Sequence, residues 1–253
     1  MNPKVLKYYL SNRPLFLAII RASEIPFYLK YANLKGKVLD FGCGDGFFLD
    51  TLRKFSSKTF RMNEVIGIDV ERKILSEAQK YNLYDKLKIY NGKNIPFPDN
   101  YFDTIISNCV FEHLPNLESN LEELNRVLKK KGILYTTVMT NKWEEYVILP
   151  KKFWSKKQKH HNLLSDAKWN SLFEKTGFTI LKKEDYLNKT QSRMIEILHF
   201  LSIPYLISYK ILNDWSKVGT LYSLFTPIDF LTKLYSHKLK PENSAALFFK
   251  LQK

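Results

Sequence analysis

From Lys37 to about Met139, short β-rich runs take turns with helical ones, a pattern that few architectures can accommodate. Lys37–Phe41, Glu64–Ile68, Lys86–Tyr90, Tyr101–Ser107 and Gly132–Val138 read as strands, with helical periodicity at about 46–55, 71–81 and 117–130 between them. Strand and helix in alternation require right-handed crossovers, hence a parallel sheet with helices on both faces. Phe178–Asp185 and Ala245–Leu251 read as two further strands. The expected class is therefore α/β, a doubly wound, mostly parallel seven-stranded sheet.

A chain of 253 residues can bury one substantial core, so a single domain over 1–253 is expected. Residues 1–36 carry spaced apolar side chains (Leu6, Tyr9, Leu10, Leu15, Phe16, Ile19, Ile20) and read as an N-terminal helical cap over the sheet's ligand end. The core sheet takes 37–187 and 241–253. Between them, 188–240 is helical in pattern and crowded with aromatics, a C-terminal helical insertion before the last strand.

The first strand opens into Gly42, Gly44 and Gly46, preceded by Asp40. In open α/β sheets a ligand sits beyond the carboxyl ends of the strands, and glycines there let the backbone approach it closely. The spacing is G-x-G-x-G, whereas the dinucleotide fingerprint is G-x-G-x-x-G. An acid beside the loop repels pyrophosphate but suits the ammonium group of an amino acid. The next strand ends at Asp69, placed to accept hydrogen bonds from both ribose hydroxyls of an adenosine or to cap the following helix.

Val38–Gly46, Gly67–Val70, Asn94–Asp99 with Phe102-Asp103, and Ser107–Leu114 together resemble the successive motifs of the Rossmann-like S-adenosylmethionine-dependent methyltransferases, over about residues 36–140. That resemblance implies S-adenosylmethionine as cofactor. It assigns Asp40, Gly42, Cys43, Gly44 and Gly46 to the methionine portion, Asp69 to the ribose and Val70 to the adenine face. Many such families carry an acid near the adenine amino group. Here that position is Asn91, followed by Gly92, and an amide oxygen can still accept. Asn108, at the end of the fourth strand, is expected to line the pocket.

The sulfonium already carries an activated methyl group, so the protein's task is to align donor and acceptor, with a base needed only where the acceptor must lose a proton. His113, beside Glu112, is one candidate base; its alternative role is to cap or pack under the next helix. His160 and His161 are the others, in a connector that also holds Trp143, Trp154, Lys151, Lys152, Lys156, Lys157 and Lys159. Aromatics mixed with cations can stack on a ring or grip a phosphate, or simply form a solvated basic loop. No metal site is expected: Cys43 and Cys109 show neither CxxC spacing nor a neighbouring His pair.

Met194 to Trp215 is strongly apolar but is interrupted by Glu196, His199 and Pro204, short of the roughly 20 apolar residues of a spanning helix. It reads as a lid over an apolar substrate pocket, or as an interfacial surface for a lipid-linked acceptor, with Lys210, Lys217, Lys233, Lys238 and Lys240 near. A net charge of +15 suits an anionic partner but also follows from a Lys-rich composition. The leading expectation is methyl transfer to a small or lipid-linked acceptor, such as a sugar hydroxyl or a quinone-like ring. RNA or protein methylation and a nonenzymatic cofactor-binding scaffold are the alternatives, and no DNA partner is expected. Leu15–Ile20 is too short for a signal peptide and runs into Arg21 and Glu24, so a cytoplasmic protein with peripheral membrane contact is expected.

Overall fold

The computed structural model describes residues 1–57, 60–149, 159–212, 219, 223, 226–236 and 244–253. Its sheet has seven strands in the order β3-β2-β1-β4-β5-β7-β6. In chain order they are β1 (Lys35–Phe41), β2 (Arg61–Asp69), β3 (Lys86–Ile89), β4 (Phe102–Asn108), β5 (Leu128–Met139), β6 (Thr179–Tyr186) and β7 (Ala246–Gln252). The order reverses between β1 and β4, so their carboxyl ends flank the crevice where a doubly wound sheet binds its ligand.

The first five strands pair in parallel, but β7 lies antiparallel to both β5 and β6, so the sheet is mixed where strand-helix alternation predicts parallel crossovers. The physical reason lies in where the chain leaves and returns. Tyr186, Ala246 and Met139 stand in one row at the sheet's carboxyl edge. The chain departs after Tyr186 and comes back at Ala246 on that same edge, and a strand that starts where its predecessor ended must run the other way. The chain therefore leaves and re-enters the sheet at the ligand end. The intervening segment contains helices α8 (Lys189–Leu201), α9 (Ile203–Leu212) and α10 (Ile228–Leu234). Trp215, Lys217, Tyr222, Phe225, Lys238 and Lys240 lie outside the described residues.

Two apolar layers cover the faces of the sheet. On one, α1 (Pro3–Leu10), α2 (Leu15–Tyr31) and α3 (Phe47–Phe55) bury Val5, Tyr9, Ile19, Tyr28 and Leu52 against Val38, Ile106 and Phe248. On the other, α5 (Leu117–Val127) turns Leu117, Leu121 and Leu124 inward at helical spacing, beside Trp169 and Phe173 of α7 (Asp166–Lys175). Fully burying each such side chain contributes about 1.5–3 kcal/mol. Strands β1 and β4 are apolar on both faces, as a central parallel strand must be. Between α3 and α5 lies α4 (Arg72–Ala78), and α6 (Lys142–Tyr146) follows β5.

α2 is the element that ties the cap to the sheet. It is apolar on most sides and carries Pro26 in its interior, yet Ala22, Ile25 and Tyr28 are buried and the Tyr28 hydroxyl donates to the Ser107 carbonyl at 3.0 Å.

Candidate active site

The loop after β1 is shaped by backbone that only glycine tolerates well. Gly42 has φ +70°, and a Cβ there would stand 2.5 Å from the Val110 side chain. With that conformation, Gly42 and Cys43 both donate their backbone N–H to the Ile68 carbonyl (2.9 and 3.1 Å), and Gly44 donates to Asp69 Oδ2 at 3.0 Å. Gly46, also left-handed, starts α3. Asp69 Oδ1 accepts from the Glu71 N–H at 3.0 Å, so one carboxylate both ties the glycine loop and enters the α4 turn. Each of its oxygens retains a second lone pair.

Beneath the loop, Asp40 is 5% exposed and accepts a hydrogen bond from the Tyr84 hydroxyl at 2.7 Å. Burial, with a smaller push from the charge of Asp69, raises its carboxyl to about 7. Asp40, Gly42, Cys43, Gly44 and Asn108 line a cavity of about 670 Å³. Other walls come from Tyr9, Leu17 and Arg21 of the N-terminal helices, Arg13 in the turn between them, and Leu206 of α9. Val70 is 64% exposed just beyond Asp69, an apolar side chain on which a planar ring can lie. A buried carboxyl facing a roomy, water-accessible cavity fits a cationic ligand, and its donor set matches a zwitterionic amino acid joined to a nucleoside.

Gly46, Asp69 and Val70 lie within two residues of wall residues in the chain without lining the cavity themselves, and two more expected residues lie further from it. Asn91 turns its Oδ1 back on its own loop, accepting from the N–H groups of Lys93 (2.9 Å) and Asn94 (3.2 Å). Gly92 borders a separate surface cleft with Asn116 and Arg126.

Behind the cavity lies a polar cluster inside the apolar α2 layer. Glu24 is fully buried and accepts from Arg21 and from Asn108 Nδ2, both at 2.8 Å, and from the Tyr186 hydroxyl at 3.1 Å. Cys109 Sγ stands 3.1 Å from the same carboxylate. Burial opposes the charge on Arg21, but Glu24 more than offsets it and holds the guanidinium well above its usual range. Cys109 has φ +51°, a left-handed conformation that costs of order 1–3 kcal/mol in a non-glycine residue and is found most often at ligand sites. Arg13 pairs with Asp45 across the cavity mouth.

A smaller cavity of about 250 Å³ adjoins the first, sharing Leu17 and Arg21 with it. Phe16, Ile20, Met139 and Trp143 form apolar walls; Glu112, His113 and His160 face the same space. The His113 and His160 rings stand 5.0 Å apart, and His113 Nδ1 lies 3.4 Å from the Lys159 carbonyl. Burial, with the nearby imidazoles, lowers His160 to about 4; burial raises Glu112 to about 7. His161 is exposed and stands outside the described walls of both cavities; its backbone N–H donates to the Glu112 carbonyl at 2.8 Å. Lys151, Lys152, Trp154, Lys156 and Lys157 lie outside the described residues. Trp143 Nε1, Glu112 Oε2 and His160 Nδ1 are buried without a hydrogen-bond partner among the described residues. An unsatisfied buried polar group costs about 1–3 kcal/mol.

Arg13, Arg21, Glu24 and Tyr84 were not legible as site residues. The signal for two of them is present all the same: Arg21 and Glu24 are charges set in an otherwise apolar helix, and a buried charge needs a partner.

A mixed, doubly wound sheet with an acid-flanked glycine loop at its switch point and a carboxylate closing β2 defines the class: Rossmann-like S-adenosylmethionine-dependent methyltransferases. The chain belongs to the methyltransferase domain family, whose model matches residues 9–183, and S-adenosylmethionine is its cofactor. An uncharacterised protein of Methanocaldococcus jannaschii is 31% identical over 181 residues, covering 68% of this chain and 82% of the relative. A ubiquinone/menaquinone biosynthesis C-methyltransferase of Rickettsia prowazekii is 28% identical over 50% of this chain, and the chain spans 53% of that enzyme. Among solved structures, a possible histamine N-methyltransferase of Thermotoga maritima superposes with a TM-score of 0.60 over 94% of this chain and 91% of its own, at 18% identity, a likeness of fold.

Proposed function

We propose that the enzyme methylates a small or lipid-linked acceptor rather than a macromolecule. The observation that carries this reading is the size of the site: the walls of the 670 Å³ cavity include residues of the N-terminal segment and Leu206, and the space adjoining it measures only about 250 Å³. A protruding acceptor atom of a small molecule fits there, while a folded RNA or protein segment needs an open groove. A quinone C-methyltransferase among the relatives agrees with a ring acceptor.

In this reading Asp69 receives the ribose hydroxyls, Val70 packs on the adenine, and Asp40 with the glycine loop holds the methionine portion. The cofactor supplies an activated methyl group on a sulfonium. Asp40, as the carboxylate, offsets the ligand's positive charge, and Arg21 fixes the boundary between the two cavities. Residues 188–240 form a lid inserted into the single domain 1–253: the segment leaves and rejoins the sheet at its carboxyl edge, and among the described residues Leu206 reaches the cavity wall.

Peripheral membrane contact is part of the proposal. Ile197, Leu201, Ile207 and Ile211 of the lid helices are 45–76% exposed, and Leu206 between them lines the cofactor cavity. No helix among the described residues is long and apolar enough to cross a membrane. The test is a panel of acceptors with the labelled donor: polyprenylated phenols, nucleotide sugars and bulk RNA. Incorporation into the phenols or sugars alone is expected, and incorporation into RNA alone overturns the reading.

A further inference from the structure

We infer that the 250 Å³ cavity seats the reacting end of the acceptor, and that it selects an apolar-bodied alcohol of phenol type, held by Trp143, Glu112 and His160. The inference rests on the small-acceptor reading above. Three buried polar atoms on three different elements, Trp143 Nε1 on α6, Glu112 Oε2 in the turn Phe111–His113 and His160 Nδ1 in the connector, lack partners among the described residues, and all three residues line this one space. Folding rarely leaves three such groups around a single cavity unless something from outside satisfies them.

Their chemistry matches one hydroxyl group. The indole N–H can only donate, so it addresses an oxygen lone pair; the carboxylate accepts the hydroxyl proton; the imidazole nitrogen orients the same oxygen. Of the remaining walls, Phe16, Leu17, Ile20 and Met139 are apolar, and Arg21, Cys109 and His113 are polar. Against the apolar walls a sugar would leave hydroxyls unsatisfied, whereas a phenol places its ring there and its one hydroxyl on the polar groups. The charge of Arg21 is already matched by Glu24 at 2.8 Å.

The residue roles balance the chemistry. The acceptor oxygen takes the methyl carbon, the electron pair of the broken carbon–sulfur bond stays on sulfur, and the hydroxyl proton passes to the Glu112 carboxylate. His160, kept uncharged by burial at neutral pH, donates its one ring proton from Nδ1 to that oxygen and keeps it throughout. Glu112 is held in place by the connector: its backbone carbonyl accepts from the N–H groups of His161 (2.8 Å) and Asn162 (3.0 Å).

The probe is p-cresol, with 4-methylanisole as its proton-free counterpart and methyl glucoside as the sugar, each titrated into the full chain with S-adenosylhomocysteine present. A ¹⁵N correlation spectrum follows the Trp143 indole signal, assigned with Trp143→Phe. We expect p-cresol to shift that signal, 4-methylanisole to bind at least tenfold more weakly and methyl glucoside not to bind. Glu112→Gln should bind p-cresol within about threefold of the parent yet slow its methylation by 10²-fold or more; Trp143→Phe should weaken p-cresol about tenfold. Equal binding of the phenol and its methyl ether, binding of the glucoside, or no shift at the indole while S-adenosylhomocysteine binds normally overturns the inference alone. Failure to bind S-adenosylhomocysteine overturns the cofactor reading instead, and the indole shift still reports on the cavity.

Discussion

The two adjoining cavities are built in opposite ways. The strand-end side of the larger is shaped by backbone: Gly42, Cys43 and Gly44 hydrogen-bond to the end of β2, and Asp40 and Asp69 stand at the tips of neighbouring parallel strands. The smaller is made of side chains drawn from α2, the turn after β4, the end of β5, α6 and the connector. The first depends on conformations available to a few residue types, so its composition is narrowly constrained. The second depends on which side chains those elements present, and it can change with the acceptor while the first stays as it is.

The contrast is broken most directly at Glu24, which serves both cavities through Arg21 and Asn108. Glu24→Ala leaves the Arg21 guanidinium, 22% exposed, without its carboxylate and should cost up to about 3 kcal/mol in urea unfolding. Glu24→Gln should cost less, and a loss below about 1 kcal/mol in Glu24→Ala would show that Arg21 finds water instead.

Asp69→Ala removes the carboxylate that ties Gly44 to α4 and awaits the ribose. Calorimetry should find cofactor affinity down by about 1.5–3 kcal/mol, the worth of hydrogen bonds to a charged group. Unchanged affinity would take Asp69 out of the site.

Acidity separates the cavities in a third way. Because Asp40 titrates near 7 in the free protein, the cation-binding carboxylate becomes dominant as pH rises through that value. Cofactor affinity should climb with pH up to about 7 and then level, falling by up to about tenfold per unit below it. Stability of the free protein moves oppositely. Its native state holds the Asp40 proton after the unfolded chain has lost it, so this contribution declines as pH rises from 3.8 to about 7. Asp40→Asn should flatten both profiles, and a pH-independent affinity in the parent would contradict the assignment.

The smallest effect is expected at His161. His161→Ala should alter stability by no more than about 0.5 kcal/mol and leave turnover within twofold, since only its backbone engages Glu112. His160→Ala should impair acceptor binding while sparing cofactor affinity. A larger defect from His161 than from His160 would reverse their roles.

Much of the larger cavity was readable because its determinants are local. The order of strand, glycines and acid from Val38 to Gly46 describes one continuous turn, and Gly67–Asp69 describes its neighbour. Asn91 shows the limit of that reading: alignment by motif puts it near the adenine, but its short amide satisfies its own loop first. Tyr84, which hydrogen-bonds Asp40, sits in a connection with no motif to mark it. Among the imidazoles, sequence favoured the His160–His161 pair over His113 as the acceptor's activating group, without ordering the two members of the pair. Packing turns His160 inward, and its ring meets that of His113.

The sequence by itself determined the alternating elements, the seven strands, the glycine turn and the acids beside it, because periodicity and φ preferences act over a few residues. Tertiary structure decided the antiparallel place of β7, the burial of Glu24 against Asn108 and Tyr186, and which polar atoms remain for a ligand. Those outcomes depend on contacts between residues tens to more than a hundred positions apart, such as Glu24 with Tyr186, and no local pattern encodes which distant partner closes a buried charge.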